Sequence, residues 1–139
     1  MTNEAAVEAT GQWTEIEPGL SYLDLRKSDG EPIATGDIVQ VHYQVALGDL
    51  RDGQPPWIDS SWEKPKPFQF RIGAGEVLKG IDVGVAGMRV AGERRMVLAP
   101  EWAYGERGLA ELVPGGSTLT IQVYIVMKEE PERTGGAEG

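Results

Sequence analysis

The sequence predicts an α+β fold, an antiparallel sheet of about five strands wrapped around one short helix. Several stretches alternate apolar and polar residues with a period of two, which is typical of strands, and Pro and Gly clusters separate them. Helical spacing of apolar residues occurs in one short segment. The length of 139 residues is that of a single domain with a core of its own.

The predicted strands are defined by the side chains that share a face. The clearest is the last, because Ile121, Val123, Ile125 and Met127 fall on one side of it. The first is the weakest. In chain order the predicted strands cover residues 20–26, 39–45, 68–72, 96–98 and 118–127.

The predicted helix covers residues 76–86. Its apolar residues recur at i, i+4 and i+8 and share one face: Val77, Ile81 and Val85. Gly80 and Gly84 lie within this segment and weaken the helix by about 1 kcal/mol each relative to Ala. Because so short a helix is not stable alone, we expect it to pack against the apolar face of the sheet.

The domain is expected to span residues 13–128, between two tails. Residues 1–12 are predicted to be a disordered acidic N-terminal tail, and residues 129–139 a disordered, Gly-rich C-terminal tail. The sequence contains neither the apolar core of a signal peptide nor the run of about 18 apolar residues that a membrane helix needs. We therefore expect a cytoplasmic protein with no membrane association, and we expect it to be a monomer.

Composition argues against most covalent and metal chemistry. There is no Cys and a single His, so thiol nucleophiles and multi-His metal sites are excluded, and we expect no metal or cofactor. That histidine, His42, is predicted to be an outward-facing or hydrogen-bonded sheet residue. The net charge of −9, from 13 Lys and Arg against 22 Asp and Glu, argues against nucleic-acid binding.

Several short motifs resemble chemical sites and are interpreted as structural. The glycines of segment 73–75, with Gly80, complete neither a dinucleotide-binding nor a phosphate-binding motif, so they are expected to form a turn that enters the helix. Ser60 lacks an identifiable base and is expected to be a turn residue. The adjacent pair Arg94 and Arg95 is expected to lie on a solvated edge.

Seven motifs in a fixed order resemble a known family. They are VHY at 41–43, IDSS at 58–61, KPFQF at 66–70, GAGEVLKG at 73–80, GM at 87–88, PEWAYG at 100–105 and VPGGSTLTIQV at 113–123. This series is similar to the FKBP-type peptidyl-prolyl cis-trans isomerases, the macrolide-binding immunophilins, from about residue 20 to residue 128. The resemblance implies an antiparallel half-barrel of five or six strands closed on one short helix, and the strands and helix predicted above agree with it.

The resemblance implies a set of site residues. Tyr43, Asp59 and Tyr104 match the catalytic positions, where the Tyr104 hydroxyl meets the substrate carbonyl and Asp59 either polarises that carbonyl or anchors Tyr43. The Leu78 backbone N–H is implied to donate to a bound carbonyl. The implied substrate-binding residues are Ile58, Phe68, Val77, Leu78, Ile81, Leu112, Val113 and Ile121. Without the resemblance, the apolar members would be interpreted as ordinary core packing and the tyrosines as sheet or turn residues.

The function implied is rotation about Xaa-Pro bonds in folding proteins, which needs neither proton transfer nor a covalent intermediate. Desolvation and stabilisation of the twisted amide in an apolar pocket would supply the catalysis. The expected partners are proline-containing polypeptides, and macrolides such as tacrolimus and rapamycin with weakened affinity. The reason for the weakening is that Ile58, Ile81 and Ile121 stand where many family members carry aromatic residues.

Two alternatives remain at this point. The first is a catalytically weak member of the family that binds proline-containing segments as a chaperone or adaptor. The second is a hydrolase that uses Asp59, which would need a second carboxylate in the same pocket. The sequence identifies no such second acid.

Overall fold

The computed structural model describes residues 12–130, which form a seven-stranded antiparallel sheet with one short α-helix. The strands are β1 (Thr14–Glu17), β2 (Leu20–Arg26), β3 (Ile38–Leu47), β4 (Asp59–Ser60), β5 (Phe68–Arg71), β6 (Glu93–Leu98) and β7 (Leu119–Glu129). The helix α1 covers Lys79–Gly84, and two 3₁₀ turns cover Ser61–Glu63 and Pro100–Trp102. The predicted tails, residues 1–12 and 129–139, lie outside the described residues except for Gln12, Glu129 and Glu130. Glu129 is the last residue of β7 and not part of a tail.

The sheet order places the longest strands at its centre. The order is β1-β2-β6-β7-β3-β4, and β5 also pairs with β3. Strands β3 and β7 pair along their whole lengths, from Ile38 opposite Glu129 to Leu47 opposite Leu119. The apolar face predicted for β7 is buried in the core at Ile121, Val123 and Ile125, whereas Met127 is 43% exposed. The opposite face is also buried at Thr120 and Gln122.

The fold class is confirmed. All five predicted strands are present, and β2 has the predicted bounds. Strands β1 and β4 were not predicted, because β1 is four mostly exposed residues and β4 only two. In the described part of the chain, no helix is long and apolar enough to cross a membrane.

The helix packs closely on β6 and is shorter than predicted. It ends at Gly84, and Gly80 and Gly84 are both buried. A Cβ added at Gly80 would clash with the Leu98 side chain, and one added at Gly84 would meet the Met96 sulfur. The glycines that weaken the isolated helix are therefore what allows it to approach the sheet.

Arg94 is buried, so the expectation of a solvated edge is wrong for it. Its residue is 3% exposed, and β6 lies between β2 and β7. The guanidinium makes two hydrogen bonds to Asp24, with Nε at 2.7 Å and Nη2 at 3.2 Å. Nη1 donates to the carbonyls of Gly84 and Ala86. Arg94 thus ties the end of α1 to the sheet and satisfies its last carbonyls.

Arg95 is also buried, at 4% exposure, and contradicts the same expectation. Its Nε and Nη2 donate to Gln122 Oε1 at 3.0 and 2.9 Å on the outer face of the sheet, the face turned away from α1. Nη1 and Nη2 also donate to the carbonyls of Arg51 and Gly53 in the β3–β4 connection. Burial lowers the pKa of Arg95, and the charges of Asp52 and Glu93 oppose that effect.

Candidate active site

A cavity of about 390 Å³ opens on the inner face of the sheet, the face that packs against α1. It lies between β3, β5, β7 and the segment that enters the helix. Most of its wall is apolar. The lining residues are Val41, Tyr43, Val45, Asp59, Phe68, Phe70, Glu76, Val77, Leu78, Ile81, Tyr104, Ile121 and Val123. Such a cavity removes a small apolar group from water.

The strand periodicity builds most of this wall. Three strands contribute alternate residues: Val41, Tyr43 and Val45 of β3, Phe68 and Phe70 of β5, and Ile121 and Val123 of β7. Ile81 of α1 and the preceding Val77 and Leu78 complete it from the helix side. The wall is therefore fixed by regular elements on both sides.

A polar cluster around Asp59 lies at one side of the cavity. Asp59 Oδ1 accepts from Lys64 Nζ at 2.9 Å and from the Ser60 backbone N–H at 2.9 Å. The Tyr43 hydroxyl donates to Asp59 Oδ2 across 3.5 Å, at the long end of the hydrogen-bond range. Burial, followed by the charge of Asp59, raises the pKa of Tyr43. The hydrogen bond to Asp59 raises the pKa of Lys64.

Two donors at the cavity have no acceptor in the described part of the chain. The Tyr104 hydroxyl makes no hydrogen bond within residues 12–130, although it lines the cavity. The backbone N–H of Leu78, just before α1, likewise donates to no group in these residues. Burial raises the pKa of Tyr104, with smaller effects from Tyr43 and Asp59, so its proton is retained. The site can therefore offer two hydrogen bonds to a bound carbonyl group.

Comparison with known proteins gives the family. A family model described as FKBP-type peptidyl-prolyl cis-trans isomerase matches residues 30–126. The chain belongs to this isomerase family. Peptidyl-prolyl cis-trans isomerase FKBP2 of Bos taurus is 39% identical over 90% of this chain and 86% of its own length. Peptidyl-prolyl cis-trans isomerase Fkbp12 of Drosophila melanogaster is 38% identical over 80% of this chain and 99% of its own.

A solved structure agrees with this assignment. The crystal structure of AtFKBP13 matches with a TM-score of 0.75 at 30% identity, covering 85% of this chain and 99% of that one. The family, the fold and the enzyme class predicted from the sequence motifs are confirmed. The chain is thus a peptidyl-prolyl isomerase of the FKBP type.

Eight of the predicted site residues of this isomerase line the cavity, and three do not. Those that line it are Tyr43, Asp59, Phe68, Val77, Leu78, Ile81, Tyr104 and Ile121. Ile58 lies in a neighbouring cleft, because its backbone N–H bonds to the Val45 carbonyl before the chain reaches Asp59. Val113 is 2% exposed in the core, and Leu112 is 43% exposed without lining the cavity.

Five lining residues of the isomerase were missed by the sequence interpretation. Four of them are Val41, Val45, Phe70 and Val123. Each lies two positions from a predicted wall residue on the same strand, so the period of two could have found them. The fifth, Glu76, carries no such signal. Its Oε1 accepts from the Arg71 backbone N–H at 2.9 Å, a contact that depends on the fold.

The glycine-rich segment of the isomerase is a turn, as expected. The backbone N–H groups of Gly73 and Gly75 donate to the two oxygens of Asp82, at 2.7 and 3.0 Å. Donors that a phosphate would need are thereby taken by the helix itself.

His42 of the isomerase is a hydrogen-bonded sheet residue, also as expected. Its Nδ1 lies 2.9 Å from Ser61 Oγ, and its ring stacks on Trp62 with centroids 3.8 Å apart. Ser61 Oγ in turn accepts from the Tyr43 backbone N–H at 2.7 Å. This chain of contacts fixes the backbone between Tyr43 and Asp59. Ser60 accepts from the Trp62 N–H and begins the 3₁₀ turn.

Proposed function

We propose that this isomerase catalyses rotation about Xaa-Pro bonds of folding polypeptides by enclosing the prolyl group in the apolar cavity and binding the preceding carbonyl. One observation carries the proposal. Two hydrogen-bond donors that have no acceptor within residues 12–130 lie at an apolar cavity of about 390 Å³: the Tyr104 hydroxyl and the Leu78 N–H. A prolyl ring fits the cavity, and an amide carbonyl fits the two donors.

The proposed catalysis follows from the physics of the amide bond. Resonance gives a peptide bond a rotation barrier of about 18–20 kcal/mol, and water solvates the planar, polar amide well. Twisting the bond reduces the carbonyl dipole and returns the lone pair to nitrogen. An apolar wall therefore favours the twisted state relative to water. No bond is formed or broken, so the absence of Cys does not impair the reaction.

In this mechanism Tyr104 and Leu78 hold the chain while the bond turns. Asp59 acts mainly by orientation, because Lys64 and the Ser60 N–H already occupy its Oδ1 and Tyr43 approaches its Oδ2. It fixes the Tyr43 ring, which meets Phe68 edge to face with centroids 5.9 Å apart. The aromatic wall beside the substrate is thereby kept in one arrangement.

Macrolides that bind this family are proposed to bind the same cavity with weakened affinity. Ile81 and Ile121 form aliphatic walls, and Ile58 lies outside the cavity altogether. Aliphatic side chains offer less contact area than aromatic rings at the same positions. The cytoplasmic location and the monomeric state stay predictions from the sequence.

The test is refolding of a protein whose slow phase is limited by proline isomerisation, at about micromolar isomerase, with and without tacrolimus. Uncatalysed isomerisation takes tens to hundreds of seconds, so acceleration is directly visible. We expect the slow phase to accelerate and tacrolimus to suppress the acceleration. An unchanged slow phase with reduced aggregation would contradict catalysis and favour the weak proline-binding chaperone.

A further inference from the structure

A second cleft, of about 310 Å³, adjoins the active-site cavity. Its lining residues are Gln44, Trp57, Ile58, Asp59, Ser60, Glu63 and Lys64. Asp59 lines both the cavity and the cleft, so this residue lies between them. In β3, Tyr43 and Val45 line the cavity whereas Gln44 lines the cleft, which places the cleft on the opposite side of the sheet. A polypeptide that leaves the cavity over β4 at the sheet edge would enter it.

Two carboxylates and one ammonium group line the cleft, so its negative charges outnumber its positive one: Asp59, Glu63 and Lys64. Lys64 Nζ is 2.9 Å from Asp59 Oδ1, so these two charges neutralise each other. Glu63 is exposed and has no cation at ion-pair distance within residues 12–130, although its charge acts on Lys64 from farther away. The chain as a whole carries a net charge of −9. The cleft is therefore poised for a cation and unfavourable to a second acid.

The remaining walls suit a long aliphatic stem. Trp57 and Ile58 are partly buried and present apolar surface, and Gln44 supplies an amide. The Arg95 guanidinium lies 5.9 Å from the Trp57 centroid, so an entering cation is repelled from this ring and placed toward Glu63. Lysine and arginine combine an apolar stem with a terminal cation, which an apolar or an acidic side chain does not.

We propose that this cleft is a substrate subsite that receives a lysine or arginine side chain lying near the isomerised proline. The inference rests on the proposed function, because it requires the proline to occupy the adjacent cavity. An extended chain advances about 3.3 Å per residue, so the basic residue lies within roughly three residues of the proline. The isomerase then acts preferentially on basic proline-containing segments.

The test uses peptides that differ at one position. In a proline-containing peptide, lysine, norleucine or glutamate is placed in turn at each position within roughly three residues of the proline. Norleucine keeps the stem and removes the charge. We expect kcat/KM for the best lysine peptide to exceed that of its norleucine counterpart about twofold to fivefold, in the range of an exposed ion pair. The gain falls as salt is added.

Variants assign the preference to the cleft. Glu63→Gln is expected to reduce the lysine-to-norleucine ratio about twofold to fivefold, and Glu63→Lys to bring it to or below one. The matched control is Glu15→Gln on β1, an exposed glutamate at the opposite edge of the sheet, which leaves the ratio unchanged.

The outcomes separate this inference from the proposed function. If no peptide is isomerised faster than in buffer, the proposed function itself is wrong. If the norleucine peptides are turned over and lysine gives no gain at any position, the subsite is overturned. A lysine gain that Glu63→Gln leaves intact also overturns it, because the cation then binds elsewhere.

Discussion

The two tyrosines of the cavity differ in the hydrogen bonds that their hydroxyl groups make. The Tyr43 hydroxyl faces Asp59 at 3.5 Å, whereas the Tyr104 hydroxyl has no acceptor in residues 12–130. A phenolic hydroxyl that already donates a hydrogen bond within the protein is less able to donate one to a substrate. We therefore expect Tyr104 to make the direct contact with a bound carbonyl and Tyr43 to support the wall.

Tyr104→Phe removes the hydrogen bond from this hydroxyl to the substrate carbonyl and keeps the aromatic ring. A neutral hydrogen bond contributes about 0.5–1.5 kcal/mol, so kcat/KM is expected to fall roughly twofold to tenfold. Peptide isomerisation measured in parallel with urea unfolding checks this, since stability at neutral pH should hardly change. Parent-like kcat/KM in a folded Tyr104→Phe variant would show that this hydroxyl does not meet the substrate.

Phe68→Ala is expected to reduce activity more than Tyr104→Phe. Phe68 lines the cavity, contacts Tyr43 edge to face and is 40% exposed. Its loss opens the wall to water, which weakens both the shape of the site and its desolvation of the amide. We expect a loss in kcat/KM of more than about tenfold, mostly in KM, because binding area is removed.

Phe68→Leu is the control for this prediction, since it keeps apolar volume and should retain most of the activity. Loss of stability is expected to be small because the ring is substantially exposed. A smaller loss in Phe68→Ala than in Tyr104→Phe would place the prolyl group away from this wall.

At the scale of elements, the packing of α1 on β6 decides what its glycines do. Helix propensity alone predicts that Gly80→Ala stabilises the protein by about 1 kcal/mol. The structure predicts the opposite, because the new Cβ would clash with buried Leu98 and lie 2.9 Å from the Trp102 carbonyl oxygen. We expect a destabilisation of about 1–3 kcal/mol in urea unfolding.

Gly84→Ala is the matched comparison. Its Cβ would meet the thioether of Met96, and an unbranched side chain adjusts more easily than Leu98 held beside a backbone carbonyl. The loss of stability should therefore be smaller at Gly84. If Gly80→Ala is as stable as the parent, the helix is not held against β6 as closely as described.

Two buried side chains, Thr120 and Arg95, hold the connection from β3 to β4, and Thr120 bonds to Gly48 and Leu50. Arg95 donates to the carbonyls of Arg51 and Gly53, and this connection leads to Trp57 in the second cleft. Arg95→Met leaves those carbonyls and Gln122 without a donor, so we expect a loss of about 2–4 kcal/mol in the free energy of unfolding. Hydrogen exchange should accelerate at residues 51–54, whereas Gly48 and Leu50 keep their bonds to Thr118 and Thr120. Unchanged exchange at residues 51–54 would contradict the anchoring role.

The strands and the two buried arginines show which features of the fold could be predicted from the sequence and which could not. Strands β3 and β7 were predictable because apolar residues alternate along each sequence, although β7 buries both faces from Leu119 to Val123. The wall residues on those strands follow from this alternation. The partners of Arg94 and Arg95 were not predictable, since Asp24, Gln122 and the carbonyls of the β3–β4 connection are distant in sequence. Two adjacent arginines are typical of an exposed position, and only the folded structure shows the hydrogen-bond acceptors that allow their burial.

The helix boundaries and the loop residues show a second limit. Val77 and Ile81 keep helical spacing, yet α1 begins only at Lys79, because Leu78 is the N-cap. Val113 was expected over the pocket on family resemblance. It is buried in the core instead, where it pairs with Leu109. Loop positions depend on closure by the whole chain, so local pattern carries little information about them.

At the scale of the whole molecule, the sheet gives the protein two functional sides that meet at Asp59. The inner side forms the apolar cavity, and the outer side carries the cleft with Gln44 and Trp57. Because β3 runs through both, its alternation assigns neighbouring residues to different roles. A change on the outer side can therefore alter substrate preference without entering the cavity.

Stability and activity are expected to share an alkaline limit set by the buried phenols. Burial is the main cause that raises the pKa of Tyr104 and of Tyr43 above the ordinary value of 10.0. A pKa that is higher in the folded than in the unfolded state stabilises the fold while the group is protonated. This contribution is complete below the unfolded pKa and is lost as the pH rises through the folded pKa. Lys64 titrates with the same sign, since its hydrogen bond to Asp59 raises its pKa.

The free energy of unfolding should therefore change little up to about pH 9 and fall above about pH 10. Urea unfolding between about pH 8 and about pH 11 measures the fall, and isomerisation over the same range should decline with it. Tyr104→Phe removes one of the phenols, so its stability should decline less steeply than that of the parent. An equal decline in both proteins would mean that Tyr104 is as free to ionise in the folded state as in the unfolded chain, which contradicts its place in the apolar wall.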